Sequence, residues 1–189
     1  MASGTAGVTS PSALALGDVA PEIPASWALM GVDGKRYSLS SFSEHPVMVL
    51  VFVGNGCPSV KAYGEELNRL HGLYGPRGVQ LVAVNANNAS LSPPDTLLQM
   101  VQAARERQWR FPYVKDPDGA LARACGATTT PHAFVFDGQR RLRYRGRLAD
   151  SRQPSTATSN DLGNALEDLV AGRSVRVPDA PALGCSIVW

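Results

Sequence analysis

The sequence predicts an α/β fold: a central mixed β-sheet flanked by helices, with an N-terminal hairpin and a C-terminal extension. Three observations carry this. Short apolar runs alternate with helical patterns between residues 47 and 125, a Gly/Asp turn between apolar stretches precedes them, and an antiparallel pair and a last helix follow. A length of 189 residues suits one domain with a real core, burying roughly 70% of the surface an unfolded chain exposes.

Residues 1–19 read as a disordered lead-in. They are rich in Ala, Gly, Ser and Thr and have neither a basic start nor the sustained apolar segment of a secretory signal. Residues 20–24 read as extended, and residues 27–39 as a hairpin around Gly31-Val32-Asp33-Gly34. A buried strand is expected over 47–53. The helix predicted over 58–74 repeats Val60, Tyr63, Leu67, Leu70 and Tyr74 at three- and four-residue steps and opens on Pro58, whose missing N–H costs nothing at that position.

A strand over 79–84 follows. A helix over 93–107 is then predicted, with Ser92 as N-cap, Pro93 as its first residue and Asp95 in its first turn. A short strand near Tyr113-Val114 and a short helix over 119–125 complete the alternation. Residues 133–136 and 142–145 pair across Asp137-Gly138-Gln139, and Leu162, Ala165, Leu166 and Leu169 mark a last helix that Gly172 ends. The domain therefore spans 20–172, and residues 173–189 form a tail bearing Cys185.

The 18 Lys and Arg against 16 Asp and Glu leave a net charge of +2, too little to argue for nucleic acid or an anionic membrane. No run approaches the ~18 apolar residues of a membrane span. Three cysteines, an odd number, point to free or redox-active thiols and to a reducing compartment, so a cytoplasmic location is expected.

Cys57 is the leading candidate for chemistry. It ends the buried strand and the Gly54-Asn55-Gly56 turn and directly precedes the helix. A thiol at a helix N-terminus can have its pKa drop from about 8.5 to roughly 3.5–7.5, which makes it a nucleophile at neutral pH. The competing reading is a small buried hydrophobe. Cys125 fits the apolar stripe of its helix and is expected in the core, as are Trp27 and Phe52, with Trp27 near the site. Arg141, Arg143, Arg145 and Arg147 alternate along one strand face, as charges that protect a sheet edge do. Asp150 and Arg152 are expected to fix a loop.

The strand ending Phe52-Val53-Gly54-Asn55-Gly56, the helix start Cys57-Pro58-Ser59-Val60-Lys61 and the later Thr130-Pro131 resemble the thioredoxin-fold superfamily. More narrowly, Cys57 to Tyr63, Gly126-Ala127, Tyr144-Arg145-Gly146-Arg147 with Asp150-Ser151-Arg152, and Gly184 to Trp189 resemble thioredoxin-like redoxins of the alkyl hydroperoxide reductase/thiol-specific antioxidant group, over residues 20–189. The resemblance implies a thioredoxin-like fold. It also implies a cis Thr130-Pro131 bond against the Cys57 sulfur, with the Thr130 backbone positioning an extended substrate. The chain departs from the pattern at Val60, where thioredoxins carry a second cysteine. It departs again at Gly54 and Thr129, where relatives often carry cysteines; peroxiredoxins place Thr or Ser at the position of Gly54.

The expected function is a thiol-dependent oxidoreductase, antioxidant in character, in which Cys57 attacks a protein disulfide or a peroxide and an external thiol is the reductant. Cys185 is either a packed tail residue or the thiol that resolves Cys57. No organic cofactor or metal is expected. Two other functions remain open: a thioredoxin-fold binding module without catalysis, and a metal carrier using Cys57, His132 and Cys185, although no pair has a recognisable ligand spacing.

Overall fold

The computed structural model describes residues 13–22 and 28–189. Trp27, expected in the core near the site, lies outside the described residues, as do residues 23–26. The strands are β1 (Leu29–Gly31), β2 (Arg36–Tyr37), β3 (Val47–Phe52), β4 (Val79–Asn85), β5 (Tyr113–Lys115), β6 (Thr129–Thr130), β7 (His132–Phe136), β8 (Leu142–Gly146) and β9 (Cys185–Ser186). A seven-stranded sheet runs β2-β1-β5-β4-β3-β7-β8, while β6 and β9 form a separate two-stranded sheet. Strands β3, β4 and β5 are parallel, and β1, β7 and β8 join antiparallel, so the sheet is mixed as expected.

Strand β3 sits inside this sheet with every residue buried. Val47, Val49 and Val51 face α2 (Gly64–Tyr74), α3 (Leu97–Glu106) and α5 (Asp161–Val170). Met48, Leu50 and Phe52 face the opposite layer, with Phe134, Phe136 and α4 (Ala120–Cys125). A strand covered on both faces needs an unbroken apolar run, which is why residues 47–53 show no polar alternation.

Two helix starts differ from the expectation. The helix predicted over 58–74 is divided into α1 (Pro58–Ala62) and α2 at Tyr63. Long-range bonds hold the break: the Gly64 carbonyl accepts from Trp109 Nε1 at 3.3 Å and the Tyr63 hydroxyl donates to the Ser151 carbonyl at 2.7 Å. The next helix begins at Leu97 rather than Pro93. Its cap is Thr96, whose hydroxyl accepts from the Gln99 N–H at 3.4 Å, and Pro93–Asp95 form a 3-10 turn that carries Asp95 inward.

The basic row on β8 is spent on individual partners. Arg143 pairs with Asp137 at 2.5 Å, Arg145 with Asp179 at 2.7 Å and Arg147 with Asp161 at 2.6 Å, while Arg141 donates to the Gly17 carbonyl at 3.0 Å. The edge of β8 is itself covered. Gly17 and Ala20 donate to the carbonyls of Leu142 and Arg140, and Arg145 exchanges backbone bonds with Pro178 and Ala180.

Candidate active site

Cys57 is the N-cap of α1, with φ −73° and ψ 120°, and Pro58 follows as the first helical residue. Its N–H returns to the Gly54 carbonyl at 3.2 Å and its carbonyl accepts from Lys61 at 3.1 Å, so the small turn and the helix jointly fix the thiol. Only 5% of the residue is exposed. The Thr130–Pro131 bond opposite is cis, and the Cys57 thiol donates to the Thr130 carbonyl at 3.1 Å.

The tail completes the site. Strand β9 runs antiparallel to β6 with Cys185 opposite Thr130 and Ser186 opposite Thr129. The sulfurs of Cys57 and Cys185 lie 2.6 Å apart, both as thiols. Cys57, Cys185, Thr130 and Pro131 are thus brought together. Beyond β9, Ile187 is buried and donates to the Thr128 carbonyl at 2.9 Å, Val188 exchanges bonds with Asn87 and Asn88, and the Trp189 ring lies 4.4 Å from the Arg123 guanidinium.

The two thiols are driven apart in acidity. Burial raises the pKa of Cys57, but the Cys185 thiol, the Val60 N–H at the helix start and the Thr130 hydroxyl all favour its thiolate and bring it below the ordinary value. Burial and the neighbouring Cys57 sulfur push Cys185 up to about 11. Of the pair, Cys57 is the sulfur more readily ionised and Cys185 the one that holds its proton more tightly. Alkylation of Cys57 followed against pH is expected to inflect below 9.0 in the wild type and to move upward in Cys185→Ser. Identical inflections would show that Cys185 does not hold the thiolate.

The sequence reading missed a buried polar network behind the nucleophile. Asp95 accepts from the Asn55 N–H at 2.7 Å, Asn85 Nδ2 at 2.7 Å, Asn87 Nδ2 at 2.9 Å and Ser92 Oγ at 2.6 Å. Four donors hold its carboxylate below the usual range against the upward pull of burial. Lys115 Nζ ties the same cluster together, donating to Asn85 Oδ1 at 3.0 Å and to the carbonyls of Asn87 and Asp95 at 2.6 and 2.8 Å. Arg107 donates to the Asn55 carbonyl at 3.1 Å and lies over Trp109, bringing a half-buried positive charge toward Cys57. The available signal was the polar pair Asn85 and Asn87 at the end of an apolar strand.

Gly54 has a steric reason to lack a side chain. A Cβ there would stand 2.6 Å from Asn87 Nδ2, and Asn87 Oδ1 holds the Val188 N–H of the tail at 2.9 Å. Gly54→Ala is expected to displace Asn87, loosen the tail and speed alkylation of Cys185. An unchanged rate would show that Asn87 is not the clip.

His132 does not join the sulfurs. It pairs with Phe52 across β3 and β7 and packs on the Phe134 ring at 4.5 Å, on the face of the sheet away from Cys57, and burial pushes its pKa down to about 4. Among the described residues no group of three or more His, Cys, Asp or Glu side chains could hold a metal ion. Cys125 is buried in the opposite core, where burial raises its pKa. Asp150 fixes its loop by accepting from the N–H groups of Thr158 and Ser159 at 2.8 and 3.0 Å.

The model of the Redoxin family matches residues 15–166. The chain belongs to the Redoxin family. A curated relative, the thiol-disulfide oxidoreductase ResA of Geobacillus thermodenitrificans, is 27% identical over 130 residues, covering 68% of this redoxin and 67% of that protein. The match spans about two thirds of either chain. An uncharacterized conserved protein from Geobacillus kaustophilus superposes with a TM-score of 0.86 at 36% identity, over 94% of each chain. The thioredoxin domain of a thiol-disulfide oxidoreductase from Bacteroides vulgatus gives a TM-score of 0.64 at 18% identity, covering 84% of this chain and 99% of that one, which shows the thioredoxin fold. Cys185, whose sulfur lies beside that of Cys57, is beyond the matched span.

Proposed function

We propose that this redoxin, a thiol-dependent oxidoreductase, reduces protein disulfides with Cys57 as nucleophile and Cys185 as resolving thiol. The observation that carries this is the opposed sulfur pair, one favoured as thiolate and one as thiol. The Cys57 thiolate attacks one sulfur of the substrate disulfide, forming a mixed disulfide and releasing the other substrate sulfur as a thiolate that takes up a proton. Cys185, deprotonated, then attacks the Cys57 sulfur and releases the second substrate thiolate. The substrate has gained two electrons and the protein holds a Cys57–Cys185 disulfide.

An external thiol restores the pair. Cys185 is the more exposed of the two sulfur residues, and Cys57 has the lower pKa and is the better leaving group. The reductant therefore attacks Cys185 and expels the Cys57 thiolate.

A hydroperoxide is a second substrate class, favoured by the Thr130 hydroxyl, which is buried beside the Cys57 sulfur. There Cys57 would take one peroxide oxygen as sulfenic acid and release the alcohol or water, and Cys185 would condense with it to the same disulfide, releasing water.

The test is Cys185→Ser mixed with a protein disulfide substrate and separated under non-reducing conditions. A stable mixed disulfide at Cys57, absent from the wild type, is the expected product. Turnover at the wild-type rate, or capture at Cys185 in a Cys57→Ser protein, would overturn the assignment.

A further inference from the structure

We infer that β9 is an internal stand-in for an extended, cysteine-bearing segment of a protein partner, and that such a segment pairs with β6 only after the tail has left it. This rests on Cys57 being the attacking sulfur. Among the described residues β6 forms its ladder with β9 alone. An extended peptide adds to a strand edge through the same backbone groups that an internal strand uses, so tail and partner compete for one place. The tail also occupies the chemical position of a substrate, with its cysteine opposite Thr130 and its sulfur on Cys57.

The docked tail states what the edge accepts. A Cβ on Gly184 would overlap the Thr130 carbonyl oxygen and stand 3.1 Å from Pro131 Cδ, so the residue before the incoming cysteine has to be glycine for the strand to lie down. Two residues after the cysteine, Ile187 is buried in the cluster that holds Leu121, Ala122 and Cys125, so that position takes an aliphatic side chain. Ser186 between them is exposed and imposes nothing. The partner segment is therefore Gly-Cys followed by a tolerant position and an aliphatic residue.

The tail's attachment is suited to exchange. Beneath it the Thr129 hydroxyl is buried without a partner, which weakens the docked state, and its far end is held by the Asn87 clip and by Trp189 on Arg123. When a partner disulfide takes the place of Cys185, Cys57 joins one of its sulfurs and the other leaves as thiolate. Redocking of β9 then returns Cys185 to the Cys57 sulfur and expels the partner's remaining thiolate together with its strand.

The experiment follows loss of the free Cys57 thiol, counted as Cys57 adduct plus Cys57–Cys185 disulfide, in reduced wild type, Gly184→Ala and Trp189→Ala by peptide mass spectrometry. The probes are methyl methanethiosulfonate, the peptide Gly-Cys-Ser-Ile-Val with its cysteine as a thionitrobenzoate disulfide, and a control peptide with Leu before the cysteine and Asp two after it. In the wild type the Gly-Cys peptide rate should level off with concentration, limited by tail opening. The ratio of that rate to the small-reagent rate should rise about 10-fold or more in both variants, because the competent state is no longer a minor one. The control peptide should be about 10-fold slower than the Gly-Cys peptide in every protein. Equal ratios in all three proteins, or equal rates for the two peptides, would overturn the inference. Trp189→Ala keeps the test decisive if Gly184→Ala does not fold. Failure of Cys57 to react even with methyl methanethiosulfonate would instead remove Cys57 as the nucleophile.

Discussion

Cys57→Ser is expected to lower steady-state disulfide reduction by at least about 1,000-fold, since a serine hydroxyl neither ionises near neutral pH nor forms a disulfide. The fold should persist, because serine nearly matches cysteine in size and retains a donor for the Thr130 carbonyl, which Cys57 meets at 3.1 Å. The contrasting substitution is Cys125→Ser. Cys125 is enclosed in the opposite core, so turnover should be unaffected while stability falls by about 1–3 kcal/mol for a hydroxyl buried without a partner. Turnover with an external dithiol, measured beside a denaturant titration of each protein, separates the two. Loss of turnover in Cys125→Ser, or its retention in Cys57→Ser, would relocate the chemistry.

Asp95→Ala is expected to destabilise the protein by about 3–5 kcal/mol, the cost of removing one member of a buried charged network. Asp95 is 1% exposed, and its removal strands the Asn55 N–H and the Asn87 amide and leaves the Asn85 amide only the Tyr113 hydroxyl. Because Asn55 leads into Cys57 and Asn87 holds the tail, the same substitution should slow closure of the Cys57–Cys185 disulfide. Asp95→Asn adds a pH signature. The folded pKa of Asp95 lies below the ordinary 3.8, so its contribution is complete above that value and is lost as pH falls through the folded pKa. The acid limb of the stability curve should therefore be flatter in Asp95→Asn than in the wild type. Parallel acid limbs would show that the carboxylate carries no net stabilisation.

What the sequence made legible was local. The apolar run of β3, Pro58 after Cys57, the Thr130-Pro131 pair and Gly172 past the last helix each announce themselves within a few residues, and so the central layers and the facing of Cys57 and Thr130-Pro131 were readable, while Cys185 stood open between a packed tail residue and a resolving thiol. The expectation failed where distant residues decide the structure. The break at Tyr63 depends on Trp109 and Ser151. Asp95 looked like a helix-start carboxylate, yet it bonds to Asn55, 40 positions away in the chain. Arg107 looked like the end of a helix and is committed to Asn55, 52 positions away. Docking of the tail was likewise hidden, because the need for Gly184 emerges only once the Thr130 carbonyl lies against it.

The most direct measurement is a redox titration of the wild-type protein in dithiol buffers of stepped potential, with acid quenching, alkylation and peptide mapping at each step. The expected result is a single two-electron transition in which Cys57 and Cys185 become one intramolecular disulfide while Cys125 stays a thiol throughout. Independent oxidation of Cys57 and Cys185, or a disulfide that includes Cys125, would contradict the assignment of the two sulfurs as one redox pair.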